Sequence, residues 1–278
     1  RYYCGMPILT LTTDIGQRDF LVGAIKGQFL QLDPSVNICD ITHYLPQTNF
    51  PQAAYICANA FQHFPSGTFH LIIANLFESP LKYVLMAKHR QQYIICADNG
   101  LLTMITGEKP KEIIAIPLGT AKNLLQITSV IAVAVNTFSK TGQLNSIGQP
   151  IDQIDEKYPL RPTVGPDWIE GQILFIDQFE NVVINITEAE FNEHRKGRNF
   201  KIVFKRNEVI ETISANYTAV PETEKLAWFN SAGYLEIALR NGNMAGLFGL
   251  QGFNEQLQKT PSIDTSWFYQ TIRVFFEG

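Results

Sequence analysis

Three short stretches carry side chains able to do chemistry. The first is TTDIGQRDF, where Asp14 and Asp19 stand five residues apart around a turn containing Gly16. An ionised carboxylate only accepts hydrogen bonds, so such a pair suits sugar hydroxyls or an ammonium group. PILTLTT, which precedes it, alternates as a strand does, and ligands of open α/β sheets bind just past the carboxyl ends of strands. The turn has no GxGxxG or GKS pattern, which argues against a phosphate ligand. A plainer alternative stays open: Asp14 orders the turn and Asp19 caps a helix beginning at Phe20.

The second stretch is FIDQFENVVIN. Asp177, Phe179 and Asn181 recur at period two, which predicts one shared face near a strand end. A carboxylate, an aromatic ring and an amide together suit a flat polar ligand; the alternative is an Asx-type hairpin turn. The third is NSAGYLEIALRNGNMA, which predicts a turn at Asn230, Ser231 and Gly233, a strand, and a second turn holding Asn241. Small-residue turns let backbone groups approach a ligand edge, and two ordinary β-turns are the alternative. His43 in DITHYLP follows a strand, but a lone histidine is more often structural. His63, His70, His89 and His194 lack partners at metal-ligand spacing, and no HExxH, GxSxG or CxxC occurs, so neither a metal nor a cofactor is expected.

A fourth segment joins two strand patterns. HLII and YIICA read as buried strands, the latter closed by an Asp98-Asn99-Gly100 turn. The join, ANLFESPLK, sits where an α/β enzyme would place polar groups, yet Glu78 and Lys82 are its only charged side chains.

These segments need elements to position them. Residues 7–13, VNICDIT, FHLIIA, YIICA and KEIIAIPL predict strands. FLVGAIKGQFLQLDP, PQAAYICANAFQHFP and ITSVIAVAVNTFSKTG predict helices ended by Pro34, Pro65 and Gly142. Strands alternating with helices predict a mainly parallel sheet covered on both faces. After about residue 160 the pattern changes. YPLRPTVGPDW reads as a linker, and IEGQILFID, NVVINI, FKIVF, EVIETI, YLEIAL and FYQTIRVFF read as short strands. The expected organisation is an α/β domain over 1–160 and an all-β domain, a small barrel or sandwich, over 161–278.

Composition narrows the function classes. The 278 residues are 45% hydrophobic and 17% charged, with net charge −4, which describes a globular chain with no basic stripe for nucleic acid. The longest apolar run, around Ile127–Val135, is too short to span a membrane. RYYCG lacks the regions of a signal peptide. Cys39, Cys57 and Cys96 lie in apolar contexts, while Cys4 stands in RYYCG; the expectation is free thiols in a cytoplasmic protein.

TTDIGQRDFLVGAIKG, DITHYLPQ, FPSGTFHLII, ADNGLLT, SIGQPID, EGQILFIDQFENVVINI and NSAGYLEIALRNG, in this order, resemble the SAM hydroxide adenosyltransferases (SAM hydrolases), in the superfamily of the fluorinases and chlorinases. The resemblance runs from about Pro7 to Leu250. It implies an α/β domain, a β domain, and a homotrimer whose ligand sits between the first domain of one subunit and the second domain of the next. S-adenosyl-L-methionine (SAM) would be substrate or ligand. Asp14 would bind its ribose, and Asp19 and Asp177 its methionine part. Phe179, Asn181, Asn230 and Ser231 would line the pocket, and the segment up to Asn241 would lie near the adenine. The resemblance also exposes departures. The Asp, Arg and His that orient water in the family fall at Ala74, at Leu81 beside Lys82, and at Ile127 or Thr128. The Tyr-and-Thr loop typical of the halogenases is missing as well. Three expectations follow: slow or altered SAM hydrolysis, with Glu78, Lys82 or Thr128 as diverged catalytic groups; adenosyl-ligand binding without turnover; or halide-dependent cleavage, with Thr128 and Ser129 binding the anion.

Overall fold

The computed structural model describes residues 7–205, 208–250, 252 and 270–277. RYYCG with its Cys4, and Phe268–Tyr269 of the last strand pattern, lie outside the described residues. The chain divides into two compact units, Arg1–Pro159 and Leu160–Gly278.

The first unit runs β1 (Ile8–Thr13), α1 (Leu21–Leu32), β2 (Asn37–Thr42), α2 (Phe50–Phe61), β3 (Phe69–Ile73), β4 (Tyr83–His89), β5 (Gln92–Cys96), α3 (Leu101–Thr106), β6 (Glu112–Pro117), α4 (Leu124–Thr141) and β7 (Gln149–Pro150). Its sheet has the order β2-β1-β3-β5-β4-β6-β7. β2, β1, β3 and β5 pair in parallel, whereas β4 is antiparallel to both its neighbours. β6 therefore runs with the parallel group, and only β4 and β7 oppose it. The strand YVLMAKH, which the sequence pattern did not single out, forms a hairpin with β5 through Arg90 and Gln91, both at positive φ.

Alternation along the strands divides the core in two. Leu9, Leu11, Leu71 and Ile73 pack with Val22, Ile25 and Phe29 of α1 and Ile127, Ile131 and Phe138 of α4. Ile72, Leu85 and Ile94 face the other way, against Ala53, Cys57 and Phe61 of α2 and Leu101 of α3. Both faces are thus covered, as expected of a mainly parallel sheet. Local chemistry sets the helix ends. Asn49 Oδ1 accepts the Gln52 amide, Asn123 and Gln126 form a capping box, and Gly142 closes α4. Cys57 and Cys96 are buried, but Cys39 is only half-buried because β2 is an edge strand.

The second unit contains β8 (Thr163–Val164), β9 (Trp168–Ile176), β10 (Val182–Thr187), α5 (Glu188–Arg195), β11 (Asn199–Lys205), β12 (Glu208–Ile210), β13 (Lys225–Phe229), β14 (Tyr234–Leu239), α6 (Met244–Leu247) and β15 (Thr271–Glu277). Its named strands pair antiparallel in the order β12-β11-β15-β9-β10-β14-β13, with β8 against β9. Just past β12, Ile213 bridges Ala227 of β13, which nearly closes the sheet into a barrel. Ile169, Val182, Ile184, Ile202, Leu235, Ile237, Ile272 and Val274 fill it, with Phe191 of α5. Gly171 is required where β9 meets β10: a Cβ there would stand 2.5 Å from Ile184 Cγ2. α5 was not expected, although Thr187 and Glu190 form a capping box legible as T-x-x-E.

Candidate functional site

In the first unit the polar groups gather past the carboxyl ends of β1 and β3. The Asp14 amide donates to Ile73 O at 2.9 Å, extending the parallel pairing by one residue. Its side chain turns back onto the loop after β3, where Oδ2 accepts the Asn75 amide at 2.8 Å. Burial pushes the Asp14 carboxyl above its ordinary range, and the Asn75 amide pulls it part of the way back. Gly16, at φ +70°, donates its amide to His43 O at 2.7 Å, and the Leu45 amide donates to Thr13 O at 2.9 Å. His43 is buried. Its Nδ1 shares a 3.0 Å hydrogen bond with Thr13 Oγ1, and its Nε2 faces Asp40 Oδ1 at 3.3 Å. Asp40 is in turn paired with Lys26 at 2.5 Å. His43 therefore braces the turn that carries Asp14.

The loop after β3 is tied to that turn. Asn75 takes a left-handed conformation, φ 49°, and its Nδ2 donates to Glu78 Oε2 at 2.7 Å. Asn99 Nδ2 donates to Ala74 O at 3.2 Å from the other side. Two hydrogen bonds thus link Asp14 to Asn75 and Asn75 to Glu78, while Phe77 stands 60% exposed on the same loop. Asp19 is exposed, and its Oδ1 accepts the Leu21 amide at 2.9 Å; α1 starts at Leu21 rather than Phe20 and Phe20 is its N-cap residue, so Asp19 stands one residue before the cap. Lys82 is exposed where its carbonyl accepts the Leu118 amide. Ala74 and Ile127 are buried, and Leu81 packs against the core. Thr128 is buried in α4, and its hydroxyl donates to Gln28 Oε1 at 2.6 Å. That hydroxyl is committed to tying α4 to α1. Ser129 is exposed, so the two adjacent hydroxyls do not converge.

In the second unit the expectation of one strand face for Asp177, Phe179 and Asn181 is corrected. β9 ends at Ile176 and β10 begins at Val182, so all three lie in the connecting loop. The cause is the Asx chemistry of Asp177, whose Oδ1 accepts the amides of Phe179 and Asn181 at 2.9 and 2.8 Å. Asn181 Nδ2 donates to Asp177 Oδ2 at 3.1 Å, and Phe179 is left 73% exposed. Glu180, at φ 60°, holds the loop down through the Gly252 amide on its side chain and the Ala245 amide on its carbonyl. Asn230 orders its turn through Oδ1, which accepts the Ala232 and Tyr234 amides, and Ser231 is exposed at the tip. Asn241 belongs to a separate loop; its amide donates to Tyr217 Oη and its Nδ2 to Glu222.

Sequence reasoning missed Glu236. It is 3% exposed, and its carboxylate accepts Trp228 Nε1 at 2.9 Å and Asn230 Nδ2 at 3.1 Å. The available signal was a lone acid inside the otherwise apolar strand YLEIAL. Among the described residues, no group of three or more His, Cys, Asp or Glu could hold a metal ion. No described helix is long and apolar enough to cross a membrane.

The class is now defined: an α/β unit followed by a nearly closed β unit, each carrying carboxylate-bearing loops at strand ends. A family model described as the SAM hydroxide adenosyltransferase N-terminal domain matches residues 9–148, and the corresponding C-terminal domain model matches 171–255. The chain belongs to the SAM hydroxide adenosyltransferase family. A protein of Methanocaldococcus jannaschii named (R)-S-adenosyl-L-methionine hydrolase is 25% identical over 265 residues, 90% of this chain and 95% of that one. A Thermus thermophilus protein of the same name is 24% identical over 260 residues, 88% and 96% of the two chains. Among solved structures, an uncharacterized conserved protein from Thermotoga maritima superimposes with TM-score 0.79 at 22% identity, covering 96% of this chain and 99% of that one. A conserved hypothetical protein from Thermus thermophilus gives 0.70 at 19%, covering 98% and 100%. These two likenesses concern the fold alone.

Proposed function

We propose that this protein binds SAM and hydrolyses it to adenosine and methionine slowly, or with catalytic groups of its own. The observation that carries the reading is Asp14, a carboxylate held at the carboxyl end of the parallel strand β1 in a chain matched by both family domains. Asp14 takes the ribose hydroxyls. Asp19 and Asp177 take the ammonium of the methionine part, and Phe179, Asn181, Asn230, Ser231 and Asn241 complete the contacts. A diol and an ammonium both require acceptors, which these carboxylates are. The two curated relatives named as SAM hydrolases support the same substrate.

In the reaction, a water oxygen bonds to C5′ as the C5′–S bond breaks. The sulfur keeps the electron pair and leaves as neutral methionine, and the water's second proton passes to a base or to solvent. Orienting that water and accepting its proton are each worth orders of magnitude in rate. Ala74, Leu81 and Ile127 cannot do either. Glu78, held by Asn75 within two hydrogen bonds of Asp14, is the carboxylate best placed to substitute, with Lys82 second. Binding without turnover is the second reading, favoured by the same apolar positions. The free thiols of Cys39, Cys57 and Cys96 support a cytoplasmic setting, and the family resemblance supports a homotrimer.

A chromatographic time course with SAM tests the proposal. Adenosine and methionine should accumulate far more slowly than with an intact Asp, Arg and His, and Glu78→Gln should lower the residual rate further. Absence of both turnover and SAM binding sinks the reading. A fast rate insensitive to Glu78→Gln and Lys82→Met sinks the catalytic assignment.

A further inference from the structure

Glu236 has no role in the contacts proposed above, yet among the described residues of the second unit it is the one carboxylate that is buried. It lies on β14 directly across from Trp228 of β13 and Val183 of β10, on the face opposite Leu235 and Ile237 of the barrel core. Trp228 Nε1 binds Oε1 and Asn230 Nδ2 binds Oε2. Asn230 then holds the turn, since its Oδ1 accepts the Ala232 and Tyr234 amides at 3.0 and 3.2 Å. On the other side Val183 pairs with Glu236, and Asn181, two residues before it, is 2% exposed; its Nδ2 donates to Asp177 and its Oδ1 has no hydrogen-bond partner.

We infer that Glu236 is a positioning residue: its buried carboxylate sets the Asp177–Asn181 loop and the Asn230–Gly233 turn relative to each other, and so prepares the second unit's share of the ligand site. The inference rests on the reading that these two loops contact SAM. The physical argument is satisfaction. A carboxylate offers about four lone-pair sites in a plane and accepts from several directions at once, whereas an amide offers acceptors on one side only. A carboxylate buried this deeply is costly unless donors surround it. Burial pushes Glu236 above the usual carboxylate range, the donors Trp228, Asn230 and Asn181 pull it back, and Asp177 pushes it up again. Trp228 and Asn230 sit next to and on the turn, and Asn181 lies two residues before Val183, which pairs with Glu236 across β10 and β14, so the surroundings of the charge are complete only when both loops are in place.

Glu236→Gln is the test, because it keeps the shape and turns one acceptor into an NH₂ group facing a donor. Two readouts separate this inference from the reading beneath it. Amide NMR is expected to show shifts at Phe179, Asn181, Ala232 and Tyr234, and calorimetry a loss of SAM affinity of about tenfold to hundredfold at a retained fold. Shifts confined to β13 and β14 overturn the inference whether or not SAM binds. Moved loops with unchanged affinity overturn it as well. Moved loops in a protein whose wild type binds no SAM leave the loop coupling standing and sink the proposed function instead. If Glu236→Gln does not fold, Trp228→Phe withdraws one donor while keeping the carboxylate. The same amides should then shift less, with an affinity loss of about threefold, and their failure to move would overturn the inference.

Discussion

At the scale of single residues, Asp14 shows how a position gains function from its neighbours. Five-residue spacing to Asp19 said nothing about which carboxylate is held and which is free to move. The fold separates them: Asp14 is half-buried and braced by the Asn75 amide, whereas Asp19 is exposed at a helix start. Asp14→Ala is therefore expected to weaken SAM or adenosine binding by about tenfold to hundredfold, the value of a charged acceptor on a diol. Calorimetry checks this; unchanged affinity with a lowered melting temperature would make Asp14 a turn residue only. Asp19→Ala is expected to cost less affinity, because its exposed carboxylate is already shared with the Leu21 amide and screened by solvent.

At the scale of elements, β1 illustrates a pattern whose meaning depends on what covers the sheet. The alternation in LTLTT suggests an apolar face and a polar one. Here the polar face is internal: Thr10 and Thr12 are fully buried beneath α2, and Thr10 Oγ1 shares a 2.7 Å hydrogen bond with His70 Nδ1 of β3. The His70 ring stacks on Phe61 of α2 at 3.8 Å between centroids. Burial lowers the His70 pKa from 6.5 to about 4, with Gln92 opposing. The unfolded chain then takes up a proton near 6.5 and the folded chain only near 4. The contribution to stability is full above the unfolded value and falls as pH drops through that window, by up to about 3 kcal/mol. Urea unfolding at pH 7 and pH 4.5 should show the loss, and His70→Gln should remove part of its pH dependence. A second element-scale prediction concerns α1 and α4. Thr128→Val strands Gln28 Oε1 and should cost about 1–2 kcal/mol of stability without changing SAM affinity. A selective loss of turnover instead would return Thr128 to the chemistry.

At the scale of the whole molecule, the groups proposed to take the ligand are carried by both units, Asp14 and Asp19 by one, Asp177, Asn181, Asn230 and Ser231 by the other. A homotrimer is the expected assembly, and light scattering at micromolar concentration measures it directly. A monomer would remove the assembly from the proposal.

The fold class was legible because it depends on local periodicity. Every helix ended by Pro or Gly in the first unit, and the shift to short strands near residue 160, can be seen residue by residue. The antiparallel strand β4 was not, because YVLMAKH is apolar on both faces and only pairing with β5 and β6 distinguishes it from a helix segment. The same division holds for the site. Asp14, Asp177 and Asn230 announce themselves as polar residues in turns. Whether Asp177, Phe179 and Asn181 share a strand face or a loop is decided by where the Asp177 carboxylate finds amides, which depends on the ends of β9 and β10. Glu236 was missed for the same reason: the lone acid in YLEIAL can be seen, but its partners Trp228 and Asn230 lie across a strand pair, and a buried charge becomes intelligible only when the donors that surround it are known.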